Sequence, residues 1–217
     1  MKPIVLFGGT FDPVHVAHVA MARSALQELA AARLVILPAG NPYQRGRLPF
    51  ASAAHRVAML GLAFADEPRA EIDQRELSRA GPTYTLDTLR EYREVSGEMA
   101  SLVWLLGGDA FARLDSWHHW DRLLDFAHFA IVLRQDQPSP LTAASAALRQ
   151  TLQGRQADAV ALGSTPAGQY AILNATVAVV SSTQLRARCS NNESLRGLVP
   201  GAVCDYIEQH QLYHSKE

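Results

Sequence analysis

Two histidine side chains, His15 and His18, follow a pair of glycines near the start of the chain. They are three residues apart, so a helix that begins near Val16 projects both imidazoles from one side. Imidazole N–H groups can donate hydrogen bonds to phosphoryl oxygens. The spacing therefore favours phosphate chemistry over a zinc site, because metal-binding helices prefer a spacing of four and no H-E-x-x-H frame is present.

The residues around the histidines predict the elements that position them. The four apolar residues 4–7 are typical of a strand buried on both faces, and Gly8 and Gly9 end it in a tight turn. Apolar residues at spacings of three and four then predict a helix over about 16–31. A glycine turn before a helix N-terminus favours an anion site, because glycine has no Cβ to hold a phosphate away and the first helical N–H groups lack intrahelical partners.

Further apolar runs alternate with helical patterns along the chain. Each run is continuous, which predicts a doubly wound, mostly parallel α/β sheet with the first strand in a central position. We expect a single domain over 1–217, of which 181–217 form a small C-terminal helical part. The other predicted strands are Leu34–Leu37, Leu102–Leu106, Phe129–Leu133 and Val177–Val180. The other predicted helices cover Val57–Phe64, Leu86–Tyr92, Ser139–Gln153 and a segment that starts near Pro200.

Composition limits the classes of partner. The 217 residues are 48% hydrophobic and carry a net charge of −1, without an apolar run of membrane length. Such a balance argues against a nucleic-acid or membrane partner and favours small molecules. Cys189 and Cys204 lack a C-x-x-C neighbour and are expected to be reduced thiols, so we expect a cytoplasmic protein. Whether it forms a homo-oligomer stays open.

Polar residues follow other predicted strands, at the edge of the sheet where ligands of such folds bind. Gly107 and Asp109 follow one strand, although Asp109 could simply cap the next helix. Arg45 lies in a loop rich in glycine and proline, and Arg134 ends another strand. Arg45 could simply be a solvated arginine of a surface loop, but its place at the carboxyl end of a strand makes it a candidate for the site.

The last predicted strand leads into a second possible phosphate cradle. Ser181 and Gln184 fit a capping box, and the hydroxyls of Ser182 and Thr183 stand beside Arg186 at the same helix start. Capping alone would explain the serine.

Two further segments contain a possible helix start and a cluster of aromatic and polar residues. Thr85 is a plausible N-cap, and Asp87 would lie in the first turn of that helix, whose N-terminus would be electropositive. Trp117 lies between Ser116 and His118 in a segment where two tryptophans flank two histidines, a combination that a core accommodates poorly.

These motifs together resemble a known family. The run His15-Val16-Ala17-His18 resembles the His/Thr-x-Gly-His signature of adenylyl- and cytidylyltransferases, with alanine where that family usually has glycine. The segment G-G-T-F-D-P-V-H at 8–15, the G-x-D at 107–109, a tryptophan after it and S-S-T-x-x-R at 181–186 occur in this order. In that order they resemble the bacterial nicotinate-nucleotide adenylyltransferases over nearly the whole chain.

The resemblance implies a Rossmann-like nucleotidylyltransferase fold and a reaction in NAD biosynthesis. ATP and nicotinate mononucleotide (NaMN) would give nicotinate adenine dinucleotide and pyrophosphate, with Mg²⁺ held mainly by the ATP phosphates and no dedicated metal residue. It implies catalytic roles for His15, His18, Arg45 and Arg186. It implies ATP contacts for Gly8, Gly9, Thr10, Phe11, His18, Gly107, Asp109, Arg134, Ser182, Thr183 and Arg186. It implies contacts to the nicotinate nucleotide for Gly9, Thr10, Tyr84, Thr85, Asp109 and Trp117.

In that family the G-x-D carboxylate holds ribose hydroxyls, and the Ser/Thr-Tyr-Thr segment offers N–H groups to the carboxylate of the second substrate. Two alternatives remain. A sister transferase that acts on phosphopantetheine shares the histidine motif but does not require residues 83–85 or Trp117. A nucleotide-binding sensor without turnover would instead have lost a phosphate-binding cation.

Overall fold

The computed structural model describes residues 1–42, 48–133, 139–175 and 178–214, and within them six strands form one parallel sheet. The strands are β1 (Ile4–Gly9), β2 (Arg33–Pro38), β3 (Ala70–Ile72), β4 (Leu102–Gly107), β5 (His128–Val132) and β6 (Tyr170–Leu173). Their order is β3-β2-β1-β4-β5-β6, and every neighbouring pair is parallel. The predicted doubly wound sheet is confirmed, and β1 occupies a central position as predicted.

One predicted strand is wrong. Val177–Val180 was expected to be a strand, but residues 178–180 are irregular and 176–177 lie outside the described residues. The strand is Tyr170–Leu173 instead, because these residues pair with β5 and bury three of their four side chains. The sequence pattern also missed β3, whose three residues at the edge of the sheet are too short and too polar to form an apolar run.

Helices connect the strands on both faces. They are α1 (Val16–Glu28), α2 (Ala53–Ala63), α3 (Thr85–Ser96), α4 (Gly108–Phe111), α5 (Ala146–Leu152), α6 (Ser182–Ser190) and α7 (Gly201–Gln209). The predicted α1 is too long, since the chain leaves the helix after Glu28 and Ala30 adopts a positive φ of 49°. The predicted helix from Ser139 is also too long, because Ser145 is the N-cap and accepts a hydrogen bond from Leu148 N–H.

The apolar side chains of β1 alternate between two cores. Val5 and Phe7 face the layer that contains α1, α2, α6 and α7, whereas Leu6 faces the layer that contains α3 and α5. The C-terminal helices α6 and α7 therefore pack on the same core as the helix that carries His15 and His18. Among the described helices, none combines the length and the apolar character that crossing a membrane requires.

His128 stabilises the end of the sheet opposite to the strand ends that carry the predicted site. Its ring is fully buried at the start of β5, where Nδ1 accepts from Gln169 N–H at 3.1 Å and Nε2 donates to the Thr165 carbonyl at 2.8 Å. These two bonds require a neutral ring. Burial lowers the pKa of His128 below its ordinary value of 6.5.

We predict that acid destabilises the protein partly through His128. The unfolded imidazole binds more protons than the folded one below its ordinary pKa, so the free energy of unfolding decreases as the pH falls through 6.5 toward the folded pKa. Urea denaturation at about pH 7.5 and about pH 5.5 should show this decrease, and His128→Gln, which keeps a donor for Thr165, should show a smaller one. His210→Gln, at an exposed histidine that caps the C-terminus of α7, is the control. An identical pH dependence in His128→Gln and the wild type would contradict the prediction.

Candidate active site

The sheet splits at the carboxyl ends of β1 and β4, and this split creates a cleft. Paired residues of β1 and β4 end at Leu6 and Trp104, whereas β1 stays paired with β2 as far as Gly9 and β4 with β5 as far as Gly107. The strands on either side of the split connect in opposite directions along the sheet, which is where ligands bind in doubly wound folds. The cleft has a volume of about 440 Å³.

Most of the predicted site residues line this one cleft. They are Gly8, Gly9, Thr10, Phe11, His15, His18, Thr85, Gly107, Asp109, Trp117, Ser182 and Thr183. Tyr84 and Arg186 adjoin it without lining it. Arg45 and Arg134 lie outside the described residues. Residues that are up to 175 positions apart in the chain thus meet at one edge of the sheet.

The two glycines after β1 make room for aromatic rings. A Cβ on Gly8 would lie 2.4 Å from the Trp104 ring, and one on Gly9 would lie 3.0 Å from the Phe11 ring. Trp104 and Phe11 both line the cleft. The packing of the cleft wall therefore requires glycine at position 8 and leaves little room for a Cβ at position 9, a reason that sequence reasoning based on phosphate approach did not include.

His15 and His18 form a stacked pair at the start of α1. Their ring centroids are 3.6 Å apart with an interplanar angle of 19°, and the edge of the Phe11 ring supports His18 at 5.0 Å. His15 is the N-cap, and its backbone N–H donates to Nδ1 of His18 at 3.2 Å. Because Nδ1 accepts, a neutral His18 ring carries its proton on Nε2. The two rings lie together at one helix start, as the i, i+3 spacing predicted, and the backbone contact in addition fixes the orientation and the donor atom of His18.

Buried Arg56 holds the turn after β1 against the end of β2. Its Nη1 donates to the Thr10 carbonyl at 2.8 Å and to the Ala39 carbonyl at 2.9 Å. The side chain is 2% exposed, and burial lowers its pKa while the charge of Asp12 opposes that shift. Sequence reasoning missed Arg56 because it lies within an ordinary amphipathic helix pattern.

The N-terminus of α6 forms another wall of the cleft. Ser181 is the N-cap and accepts from Gln184 N–H at 3.3 Å, as the capping pattern predicted. Ser182 Oγ donates to the Pro13 carbonyl at 3.0 Å, which ties α6 to the turn before the histidines. The free first-turn N–H groups of a helix favour anions.

Buried Arg186 links the start of α6 to the turn at Asp12. It is 7% exposed, and its guanidinium donates to the Asp12 carbonyl at 2.6 Å and to Thr183 Oγ1 at 3.1 Å. The same group lies over the Phe50 ring at 4.7 Å. Arg186 thus holds the turn at Asp12 and the start of α6 next to the cleft, and its direct contact with phosphate, which the resemblance implied, stays a prediction.

Asp109 lies in the cleft but does not cap a helix. Gly107 is the N-cap of α4, and Asp109 is the second helical residue, so the capping interpretation of Asp109 is wrong. Its side chain is exposed and lines the cleft. Arg113, just after α4, also lines the cleft and was missed because nothing in its sequence neighbourhood distinguishes it from a surface arginine.

The far end of the cleft contains the N-terminus of α3. Tyr84 is the N-cap with an extended backbone, and Thr85 is the first helical residue, so the prediction that Thr85 is the N-cap is wrong by one position. Asp87 lies in the first turn as predicted. The Tyr84 ring stacks on His118 at 4.1 Å, next to Trp117. The two segments for which the resemblance implied contacts to one nucleotide thus contact each other.

Glu76 is a buried carboxyl group at this end of the cleft, and the sequence did not indicate it. It is 3% exposed, lines the cleft and accepts a hydrogen bond from Thr88 Oγ1 at 2.6 Å. Burial raises its pKa to about 7, an effect that the Thr88 hydrogen bond and the Arg79 charge only partly offset. The cleft therefore contains a group whose charge changes near neutral pH.

Comparison with known proteins supports the family resemblance. A cytidylyltransferase-like family model matches residues 6–188. A protein of Chromobacterium violaceum named "Probable nicotinate-nucleotide adenylyltransferase" is 42% identical over 209 residues, which cover 96% of this chain and 97% of that protein. A protein of Pseudomonas aeruginosa with the same name is 42% identical over 99% of this chain and 98% of its own length.

A solved structure agrees in fold. The nicotinic acid mononucleotide adenylyltransferase of Plasmodium falciparum, determined in complex with NaAD, superposes with a TM-score of 0.72. The alignment covers 98% of both chains at 18% sequence identity. The family model and the full-length relatives show that this chain belongs to the nicotinate-nucleotide adenylyltransferase family of cytidylyltransferase-like proteins.

Proposed function

We propose that this protein transfers the adenylyl group of ATP to nicotinate mononucleotide. The observation that carries the proposal is that one cleft is lined by the starts of α1 and α6 and the stacked histidines and also by Trp117 and the start of α3. The first group of residues suits a polyphosphate, and the second suits a flat ring with a carboxylate.

The chemistry requires two anions to meet. An oxygen of the NaMN phosphate forms a bond to the α-phosphorus of ATP in line, and the bond from that phosphorus to the bridging oxygen of the β-phosphate breaks. Pyrophosphate leaves with the electron pair. The protein accelerates such a step by positioning the reactants and by neutralising developing charge.

The described residues supply these effects. We assign His18 Nε2–H to donate to the transferring phosphoryl group, with His15 holding the ring of His18 in place. The N–H groups at the starts of α1 and α6 face the phosphates with their positive dipole ends. Arg186 adds charge through Thr183 and Asp12. Arg45 and Arg134 remain proposed phosphate cations.

Mg²⁺ would bind at this site mainly through the phosphate oxygens of ATP. Among the residues that the structure describes, no three His, Cys, Asp or Glu side chains cluster as a metal cage. Mg²⁺ commonly keeps several waters and binds through phosphates and one or two carboxylates. Asp109 offers such a carboxylate at the cleft wall, although the resemblance assigns it to ribose hydroxyls. When bound, the ion would neutralise negative charge on the triphosphate.

The compartment and assembly stay parts of the proposal. Cys189 and Cys204 are free, buried thiols, which supports a reducing and hence cytoplasmic location. A homo-oligomer stays open.

The first prediction concerns the reaction itself. With ATP and NaMN the purified protein should release pyrophosphate in a magnesium-dependent manner, and NaMN should be the best acceptor in a panel that includes its amide and phosphopantetheine. The measurement is pyrophosphate release per acceptor. Binding of both nucleotides without release would favour the sensor, and release only with phosphopantetheine would favour the sister transferase.

The second prediction concerns His18. His18→Ala should lower kcat about a hundred- to a thousandfold, because it removes one preorganised donor to developing charge. The melting temperature should change little, since His18 is only half-buried at a helix start. His210→Ala, at an exposed histidine that caps the C-terminus of α7, is the matched control. Normal turnover with a lowered melting temperature would show that His18 is structural.

The third prediction concerns recognition of the acceptor. Trp117→Ala should raise KM for NaMN with little effect on KM for ATP, because stacking of a ring on an aromatic side chain contributes roughly 1–3 kcal/mol. Trp120→Ala is the matched control, since Trp120 packs on the same core and does not line the cleft.

NaMN should also have a much higher kcat/KM than its amide. N–H groups at the start of α3 favour an anion and offer no acceptor to an amide NH₂. Equal kcat/KM values for acid and amide would contradict the carboxylate site even if transfer occurs.

A further inference from the structure

The C-terminal segment of the chain reaches the turn that precedes the histidines. Tyr213 follows α7, and its hydroxyl donates to Asp12 Oδ1 at 2.8 Å, across 201 positions of sequence. Asp12 is 2% exposed. Burial and the Asp12 carboxylate raise the pKa of Tyr213, so the phenol keeps its proton and remains a donor.

The Asp12 carboxylate also fixes a second segment. Oδ2 accepts from Phe50 N–H at 2.8 Å, and Oδ1 accepts from Ala51 N–H at 3.1 Å as well as from Tyr213. Without the Tyr213 hydroxyl, Ala51 N–H would be the one donor to Oδ1 among the described residues. A buried carboxylate with an unfilled acceptor position favours movement toward water.

Movement of Asp12 would be transmitted to the histidines. Asp12 lies three residues before His15, and its own carbonyl accepts the Arg186 guanidinium. Arg56 and Arg186 are the charged groups that act on Tyr213 besides Asp12. Tyr213 itself does not line the cleft, so a direct contact with substrate is not part of its role.

We propose that Tyr213 is a positioning residue for adenylyl transfer, which acts through the Asp12 carboxylate on the turn that carries His15 and His18. This inference rests on the proposed function. The apolar ring of Tyr213 packs against the core beside Leu212, and these contacts persist when only the hydroxyl is removed. The hydroxyl therefore affects the geometry of the site more than the attachment of α7.

The test is Tyr213→Phe with Tyr206→Phe as its matched control. Tyr206 also has a hydroxyl with a hydrogen-bond partner, His55 Nδ1 at 3.0 Å, but it lies away from the cleft. We expect Tyr213→Phe to lower kcat about ten- to a hundredfold, because small displacements remote from the reacting atoms have effects of that size. KM for ATP and NaMN should change less than kcat, and Tyr206→Phe should match the wild type.

A mutant cycle tests the route through Asp12. If Tyr213 acts through this carboxylate, Asp12→Asn and Tyr213→Phe should be strongly non-additive in kcat, with the double variant close to Asp12→Asn alone. Additive losses would overturn the proposal, as would equal kcat values for Tyr213→Phe and Tyr206→Phe. If the decrease in kcat is fully explained by a smaller fraction of folded protein, Tyr213 stabilises the packing of α7 and is not a positioning residue, which would also overturn the proposal.

Hydrogen exchange separates this inference from the proposed function. In Tyr213→Phe the amides of residues 10–18 and 50–51 should exchange faster than in the wild type, while those of β4 and β5 should not change. If the wild type releases no pyrophosphate with any acceptor, the proposed function fails. The positioning of the turn by Tyr213 is then decided by this exchange pattern, and unchanged exchange at 10–18 would overturn it.

Discussion

The buried carboxylate of Asp12 is the interaction on which the cleft depends. It accepts hydrogen bonds from the backbone at 50–51 and from Tyr213, and the backbone carbonyl of the same residue accepts a hydrogen bond from Arg186, so Asp12 joins three segments that are far apart in sequence. Hydrogen bonds to a charged group contribute roughly 1.5–3 kcal/mol each, and an unpaired buried carboxylate would cost more than that. The turn before His15 can therefore adopt this geometry only when all three segments are in place. The histidines derive their orientation from that junction.

The cleft itself follows from the topology of the sheet. β1 and β4 are neighbours whose connections lead to opposite sides, so their carboxyl ends separate and leave space that no strand fills. Trp104 and Phe11 shape the wall of that space; the Trp104 ring requires glycine at position 8, and the Phe11 ring leaves little room for a Cβ at position 9. A site of this kind presents helix N-termini and fixed donors to anions. It suits a reaction in which one phosphate attacks another and the protein contributes position and charge.

Part of this arrangement could be predicted from the sequence. Continuous apolar runs gave the central strands, and the i, i+3 histidines after two glycines gave the phosphate end of the cleft, because both signals are local. Residues whose roles depend on distant partners could not be found in this way. Arg56 resembles any helix residue until the carbonyls of Thr10 and Ala39 lie beside it, and Glu76 acquires its raised pKa only through burial against α3. The short strand at Tyr170–Leu173 was missed for a related reason, since its identity depends on pairing with β5.

The central claim is that this cleft brings the two nucleotides together for direct transfer. A crystal structure with NaMN and an ATP analogue that carries a methylene group between the α- and β-phosphorus atoms would test it most directly. The account predicts an oxygen of the NaMN phosphate about 3–3.5 Å from the α-phosphorus and in line with the leaving group. It also predicts His18 Nε2 within hydrogen-bond distance of that phosphoryl group and the pyridine ring on Trp117. Nucleotides bound on separate faces, or an α-phosphorus remote from His18, would contradict it.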